Sequence, residues 1–431
     1  MLTALAVCLL SFTAFWIVQR LAGVTLLDVM VYRAEGMTVR QGGDLYAMLA
    51  TEHELPTTYP PFAALLFTPL TLLSVPLMRT LATGFNLLLV LGVVYLALRL
   101  VGNCLRLPSL QQRGRRFVVA LWMSALLVWS EPVWTTLRYG QINLLLALLV
   151  LWDLTRRIDN RWAGIGIGIA AAIKLTPALF AVMLFLAGVV QAVRLIRAGQ
   201  RWWNPRLRQA AVATGTCVLV SAASAVVLPY DSRRFWTEMI FSANRPGKAE
   251  DTANQSLRGV VARLLHTADP GLWWAAAAAL VAVAGLTVAV ALLLRDRVAW
   301  ATIACGMTAL LISPVSWSHH WVWAVPALIL LIAEVRRSGS RRLLALTSVA
   351  FLVFYSFSLW WVPHSGSSMS VRHELDQNPG QFLLSAGYAL FGLAFLTLAA
   401  LRLRTTEAAS TEAQSGTQAE AQAGTQAVAK E

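Results

Sequence analysis

Charged side chains are scarce in this chain, 13% of 431 residues against about 25% in a typical soluble domain. Hydrophobic residues reach 58% and mean hydropathy +0.63. Together these exclude an ordinary soluble domain and imply an all-α polytopic membrane protein, with each span needing about 20 apolar residues. Lysine is nearly missing: it stands only at 174, 248 and 430, and arginine supplies the remaining basic residues. That bias, with abundant alanine, is the compositional mark of a GC-rich genome. Cysteine is limited to Cys8, Cys104, Cys217 and Cys305, each in or beside an apolar run. Their spacing fits neither a disulfide scaffold nor a zinc site, so they read as small core residues.

What is present begins with a formal net charge of +14. The basic residues sit in short clusters between apolar runs, as cytoplasmic loops do, and not in a field suited to nucleic acid. The clusters are QQRGRR (111–116), RRIDNR (156–161), VRLIRAGQRWWNPRLR (193–208), RDR (295–297), RRSGSRR (336–342) and LRLR (401–404). The opening MLTALAVCLLSF has no basic flank and no A-x-A site, so it reads as a retained helix and not a signal peptide. Its abrupt start leaves two readings open, this methionine or an upstream start codon.

Counting every apolar run as a span scatters the clusters over both faces. The run 60–76 carries Pro60, Pro61, Pro69 and Pro76 and is short for a span. If it is a re-entrant or interfacial helix, all six clusters share the cytoplasmic side with both termini. That arrangement has about twelve transmembrane helices within 1–404, a first outer loop at 20–78 and a long outer loop at 229–272. Residues 405–431, with the near-repeat AQSGTQA/AQAGTQA, read as a disordered cytosolic tail.

On this topology the six histidines and most acids outside the basic clusters gather at the outer face. Proton-coupled transporters and channels place ionisable groups near the midplane instead. The first outer segment offers Asp28, Tyr32, Gly42-Gly43, Asp44 and Tyr59 before Pro60-Pro61. For Asp28 the structural alternative is an ion pair with Arg33. The second, SEPVWTTLRYGQINLLLALL (130–149), offers Glu131, Arg138, Gln141 and Asn143, where helix capping or bridging is the alternative. The third carries Arg245, Lys248, Asn254, Arg258 and Arg263. Arginine forks and amides suit phosphate oxygens there, against a plain solvated or headgroup-facing surface. The fourth, SPVSWSHHWVW (313–323), brings His319 and His320 into an aromatic belt. Adjacent histidines on a helix point about 100° apart, which disfavours a shared metal.

A carboxylate, cationic groups and aromatic rings around one outer cavity suit a polyprenyl phosphate sugar donor. Its phosphate leaves with low basicity, so cationic groups can receive it without a general acid. The attacking hydroxyl needs a base, and one carboxylate suffices for inversion by direct displacement; hydrolysis would normally need two. Asp28 and Asp44 could share an ion, but the first loop has no D-x-D, so no metal and no other cofactor is expected.

The pattern D-x-x-V-Y…G-x-D-L-Y…L-P-x-T-Y-P-P-F-A-A-L-L-F-x-P-L, here Asp28 to Leu70, resembles the actinobacterial polyprenol-phosphate-mannose-dependent α-1,2-mannosyltransferases, GT-C-type membrane enzymes. R-Y-G-Q-I-N-L-L-L (138–146), K-L-T-P (174–177), N-Q-S-L-R-G (254–259) and S-W-S-H-H (316–320) follow in the same order. The resemblance implies mannose transfer, with inversion and on the periplasmic side, from polyprenyl-phosphate-mannose to a mannose 2-hydroxyl on phosphatidylinositol mannosides. It implies Asp28 as general base and His319 and His320 as contacts to donor phosphate or acceptor. The reading of the residues adds Lys174 and Arg258 near the phosphate. Tyr32, Tyr59, Arg138, Gln141 and Asn254 complete the expected binding set. The chain lacks the family's cytosolic arm before the first helix. Two alternatives stay open: α-1,2 branching of lipomannan or lipoarabinomannan by the same chemistry, and a lipid-linked sugar flippase.

Overall fold

The computed structural model describes residues 1–242, 245, 247–365 and 372–403. The expected tail at 405–431 lies outside them. The chain begins with α1 (Leu2–Leu21), whose 20 residues reach roughly 30 Å at 1.5 Å per residue, enough to cross a bilayer core. It breaks at residues 22–26, where Leu26 takes a left-handed φ of 54°, and restarts as α2 (Leu27–Gln41). Asp28 therefore stands in the first turn of a second helix. Gly42, at φ 66°, ends α2 in the left-handed cap that glycine adopts without strain.

A two-residue hairpin, Leu49–Ala50 against Leu55–Pro56, leads into α3 (Pro61–Phe67), which tightens into a 3₁₀ turn over Thr68–Leu72. Pro61, Pro69 and Pro76 each stand in the first turn of a helical piece, where a missing N–H costs nothing. The 12 residues Pro61–Leu72 reach roughly 18 Å, short of a crossing.

The remaining helices are α4 (Val75–Cys104), α5 (Pro108–Gln111), α6 (Arg113–Leu127), α7 (Glu131–Tyr139), α8 (Asn143–Leu154), α9 (Ile165–Ile173), α10 (Ala178–Arg197) and α11 (Pro205–Val227). They continue as α12 (Pro229–Thr237), α13 (Leu257–Leu264), α14 (Gly271–Leu294), α15 (Val298–Ile312), α16 (Ala324–Ser338), α17 (Arg341–Tyr355), α18 (Pro379–Ser385) and α19 (Gly387–Leu403). Among the described residues, six helices are long and apolar enough to cross a membrane, or eight if each bent pair is one span. The bent pairs are α6–α7 (80°) and α18–α19 (68°). The sequence-based figure of twelve counted short apolar helices such as α8 and α15, which do not reach that length. The run 162–193 forms two helices joined at the Lys174 turn, the short α9 and the 20-residue α10. The protein is a multi-pass, all-α membrane protein.

Burial sorts the bundle. The stretch Ser318–Ser338, which includes α16, is 83% buried and α4 half buried, whereas α1, α11 and α14 present most of their apolar surface outward. The basic clusters touch one another at one end. Arg208 donates to the Ile158 carbonyl (2.8 Å), and Arg206 pairs with Asp296 (3.1 Å). Arg295 donates to the Leu403 carbonyl (3.5 Å), and Arg402 lies 3.8 Å from Glu334, which also pairs with Arg337. Helices α8, α10 and α16 run from that end to the polar segments at the other.

Candidate active site

At the end opposite the basic clusters, α2, the chain before α3, the α7–α8 turn, the α9–α10 turn and the segment 313–320 enclose a cavity of ≈ 610 Å³. Its polar groups meet because two close approaches allow them to. Gly140, at φ 71°, caps α7, and a Cβ there would lie 2.2 Å from Val29 Cγ2. Only glycine lets the α7–α8 turn reach the start of α2. On the other side, a Cβ at Gly36 would lie 2.8 Å from the Phe67 carbonyl oxygen, so α2 lies flat against the end of α3.

The first approach delivers Gln141 to Asp28. The Gln141 amide donates to Asp28 Oδ2 at 2.6 Å, and its carbonyl accepts from the Tyr32 and Tyr59 hydroxyls at 2.9 and 3.1 Å. The two phenols are themselves 3.0 Å apart. This set fixes the amide's orientation, since only its NH₂ end suits a carboxylate. Burial raises the Asp28 carboxyl to about 6, with the Gln141 bond and the Lys174 charge pulling the other way. Among the described residues Asp28 makes no ion pair with Arg33, so the structural alternative for this acid finds no support.

Seven residues on, Glu35 lies fully buried on the same face of α2, and neither oxygen has a hydrogen-bond partner among the described residues. Burial raises it to about 8, with the Asp28 charge adding to the effect; Thr57 beside it and Arg245 oppose it. Environment thus separates two carboxyls of one helix. At neutral pH Glu35 keeps its proton and Asp28 is mainly ionised.

Facing Asp28 is a cation. Lys174 Nζ is 3.0 Å from His320 Nε2, 3.3 Å from Asn143 Oδ1, and over the Tyr59 ring. Burial lowers it to about 8, while the Asp28 charge holds it up. The His320 ring is held at both nitrogens, Nδ1 3.2 Å from the Trp317 backbone N–H and Nε2 3.0 Å from the Lys174 ammonium. Of the three ammonium donors, one faces His320 Nε2 and one Asn143 Oδ1, which leaves the third for an anion in the cavity.

His319 is held by its backbone: its carbonyl accepts from Thr136 Oγ1 (2.7 Å) and Asn143 Nδ2 (3.0 Å). Its buried Nε2 has no partner among the described residues, and its ring meets Tyr139 edge-on. Glu131 anchors the same segment, accepting from Ser318, Thr135, Trp360 and, at 2.6 Å, Tyr388.

Three expected site residues are not brought to the cavity. Arg138 ends the last turn of α7 on its exposed face. Asn254 is fully buried and works as a staple: Oδ1 accepts from the Ser316 N–H (3.0 Å) and Nδ2 donates to the Ala249 carbonyl (2.9 Å), fixing the segment that leads into the histidines. Arg258 is buried with its guanidinium over the Trp274 ring. Asp44 is taken up by Arg234 at 2.5 Å, which removes the shared-ion arrangement with Asp28. In their place the cavity wall includes Arg245, Asp251, Trp317, Trp360 and Glu374. The basic field of the long outer segment pointed to Arg245; nothing local in the sequence marked Trp360 or Glu374. Among the described residues no three His, Cys, Asp or Glu side chains cluster as metal ligands would.

The family model that the chain matches makes it a membrane glycosyltransferase of the GT-C type. The chain belongs to Glycosyltransferase family 87, whose pattern matches residues 58–314. It is 33% identical over 79% of its length to the polyprenol-phosphate-mannose-dependent alpha-(1-2)-phosphatidylinositol pentamannoside mannosyltransferase of Mycobacterium tuberculosis, 76% of which is covered. It is 32% identical over 77% of its length to the corresponding phosphatidylinositol mannoside mannosyltransferase of Mycolicibacterium smegmatis, again with 76% covered. A phosphatidylinositol mannoside enzyme of M. tuberculosis is 28% identical, with 82% and 84% of the two chains covered. No solved structure matches the chain.

Proposed function

We propose that this protein moves mannose from polyprenyl-phosphate-mannose to the 2-hydroxyl of a mannose on phosphatidylinositol mannosides, with inversion. The observation that carries the reading is the opposition of Asp28, held by Gln141, to the Lys174–His320 pair across one cavity. Asp28 takes the proton of the acceptor 2-hydroxyl as that oxygen bonds to the sugar C1. The C1–O bond to phosphate breaks on the opposite side, and polyprenyl phosphate leaves with its charge met by Lys174, His320 and Arg245. That supply of positive charge is why no divalent ion is assigned a role. The names of the relatives favour this chemistry over the transport of a lipid-linked sugar, and they favour phosphatidylinositol mannosides over lipomannan as acceptor.

The reading also sets the cavity on the outer face of the cell membrane and the basic clusters, with both termini, in the cytoplasm, giving about twelve crossings once the short apolar helices are counted. Purified protein given radiolabelled donor should extend phosphatidylinositol mannosides, leave lipomannan unmodified, and keep its rate in EDTA. Labelling of lipomannan alone would replace the acceptor, and loss of rate in EDTA restored by magnesium or manganese would bring a metal into the step.

A further inference from the structure

Helix α6 starts at Arg113, in the basic cluster 111–116, and leads away to α7 and the active site. At its starting end it leaves a groove of ≈ 590 Å³ against α4. None of the residues lining this groove lines the main cavity. Its walls are apolar, Leu88 and Leu91 on α4 and Phe117 on α6, and Leu88 and Phe117 stand exposed along its open side. From Leu88 to Tyr95 it follows seven residues of helix, roughly 10 Å. Arg113 stands exposed at the mouth. Behind it Arg116 is fixed, donating to the carbonyls of Leu110 (2.7 Å) and Gln111 (2.8 Å) with its guanidinium 5.2 Å from the Tyr95 ring. Gly114 keeps the mouth clear, since a Cβ there would meet nothing within 4 Å.

The positive charge at this mouth is not answered within the chain. In the other clusters Asp159 pairs with Arg157, Asp296 with Arg206, and Glu334 with Arg337 and Arg402. Residues 55–130, which span α4 to α6, hold six arginines and no acid. Among the described residues none of the six makes an ion pair. Apolar walls that end in unmatched cations call for an amphiphile of the opposite charge. We infer that the groove binds an anionic phospholipid from the leaflet on the side of the basic clusters. One acyl chain lies along Leu88, Leu91 and Phe117, and the phosphate meets Arg113. The forked donors of arginine suit phosphate oxygens, and covering the exposed leucine and phenylalanine with a chain is favourable. The groove is open along its side, so the glycerol and the second chain stay in the bilayer. A headgroup of net negative charge is preferred to a zwitterionic one, whose ammonium would face the same arginines.

The test uses the full-length protein in phosphatidylcholine nanodiscs holding a trace of phosphatidylglycerol with a photoreactive acyl chain. The label should fall on peptides of α4 and α6, and unlabelled phosphatidylglycerol should displace it. Arg113→Gln should lower the label there about fivefold, the worth of one basic residue at an anionic surface. Arg161→Gln, which takes an equal charge from another cluster, should leave it unchanged. Gly114→Leu sends a side chain into the groove with every charge kept, and should abolish the label. Both groove variants should melt like the wild type in phosphatidylcholine, because Arg113 is exposed and the space at Gly114 is empty. A lipid bound to the folded state adds stability. Exchanging phosphatidylcholine for phosphatidylglycerol should therefore raise the melting temperature of the wild type and not that of Gly114→Leu. Label spread over the lipid-facing α11 and α14, or an equal loss with Arg161→Gln, would overturn the proposal. So would displacement by phosphatidylcholine or by inorganic phosphate, or an equal rise in melting temperature for Gly114→Leu.

Discussion

Asp28 and Glu35 stand seven residues apart on one helix face, and burial raises both, yet only Asp28 reaches the cavity. An acid held near 6 is ionised at the pH where cells work and still basic enough to take a proton. Activity should therefore fall as pH drops through about 6, where Asp28 gains its proton. It should fall again as pH rises through about 8, where Lys174 loses its charge. The kcat/KM profile is thus expected to be bell-shaped between these limits. Asp28→Asn should reduce transfer about 10²–10⁴-fold, the usual worth of a positioned base. Its melting temperature at pH 7.5 should equal or exceed the wild type's. The sign follows from linkage: the folded value of about 6 lies above the ordinary 3.8, so ionising Asp28 costs stability that is progressively lost as pH rises through 6. The asparagine has no such cost. Asp28 was legible in the sequence because a lone acid beside an apolar run is rare. The amide that orients it was marked as a binding residue, but the pairing of the two across 113 positions was not.

Among elements, the decisive junction is α2 against the α7–α8 turn. Ala at 140 would impose a left-handed φ on a residue with a Cβ and drive that Cβ into Val29. Gly140→Ala should cost at least about 1–2 kcal/mol from backbone strain alone and should separate Gln141 from Asp28, so kcat falls along with stability. Val29→Ala in the same chain removes the methyl groups that clash, and the double variant should regain part of the lost activity, read as a coupling in a double-mutant cycle. Additive losses would mean that the contact does not set the site. The segment 313–323 shows how far local reading reaches. Its histidines stood out, but Asn254, Glu131 and Thr136 hold its backbone from three other elements. A residue such as Asn254 looks like a ligand in sequence because amides serve ligands and backbones alike; only its neighbours reveal which.

For the whole molecule, the proposed orientation can be read by labelling. With Cys104 and Cys217 replaced by serine, a cysteine at Glu52, whose side chain is 88% exposed, should react with an impermeant maleimide on intact cells. A cysteine at Arg157, 85% exposed at the opposite end, should react only after permeabilisation. The reverse pattern would put the cavity inside the cell. Sequence alone determined the class of architecture, because the cost of burying charge in lipid is paid residue by residue and leaves apolar runs and basic clusters plainly in order. It also singled out the acid, the lysine turn and the histidine pair. Tertiary structure alone decided which polar groups meet. Gln141 with Asp28, and Lys174 with His320, are pairs from segments distant in the chain, and the close approach at Gly140 brings the first pair together. It also turned Asn254 and Arg258 inward to the scaffold. Hydropathy acts along the chain, whereas convergence depends on packing between helices, which no local pattern encodes.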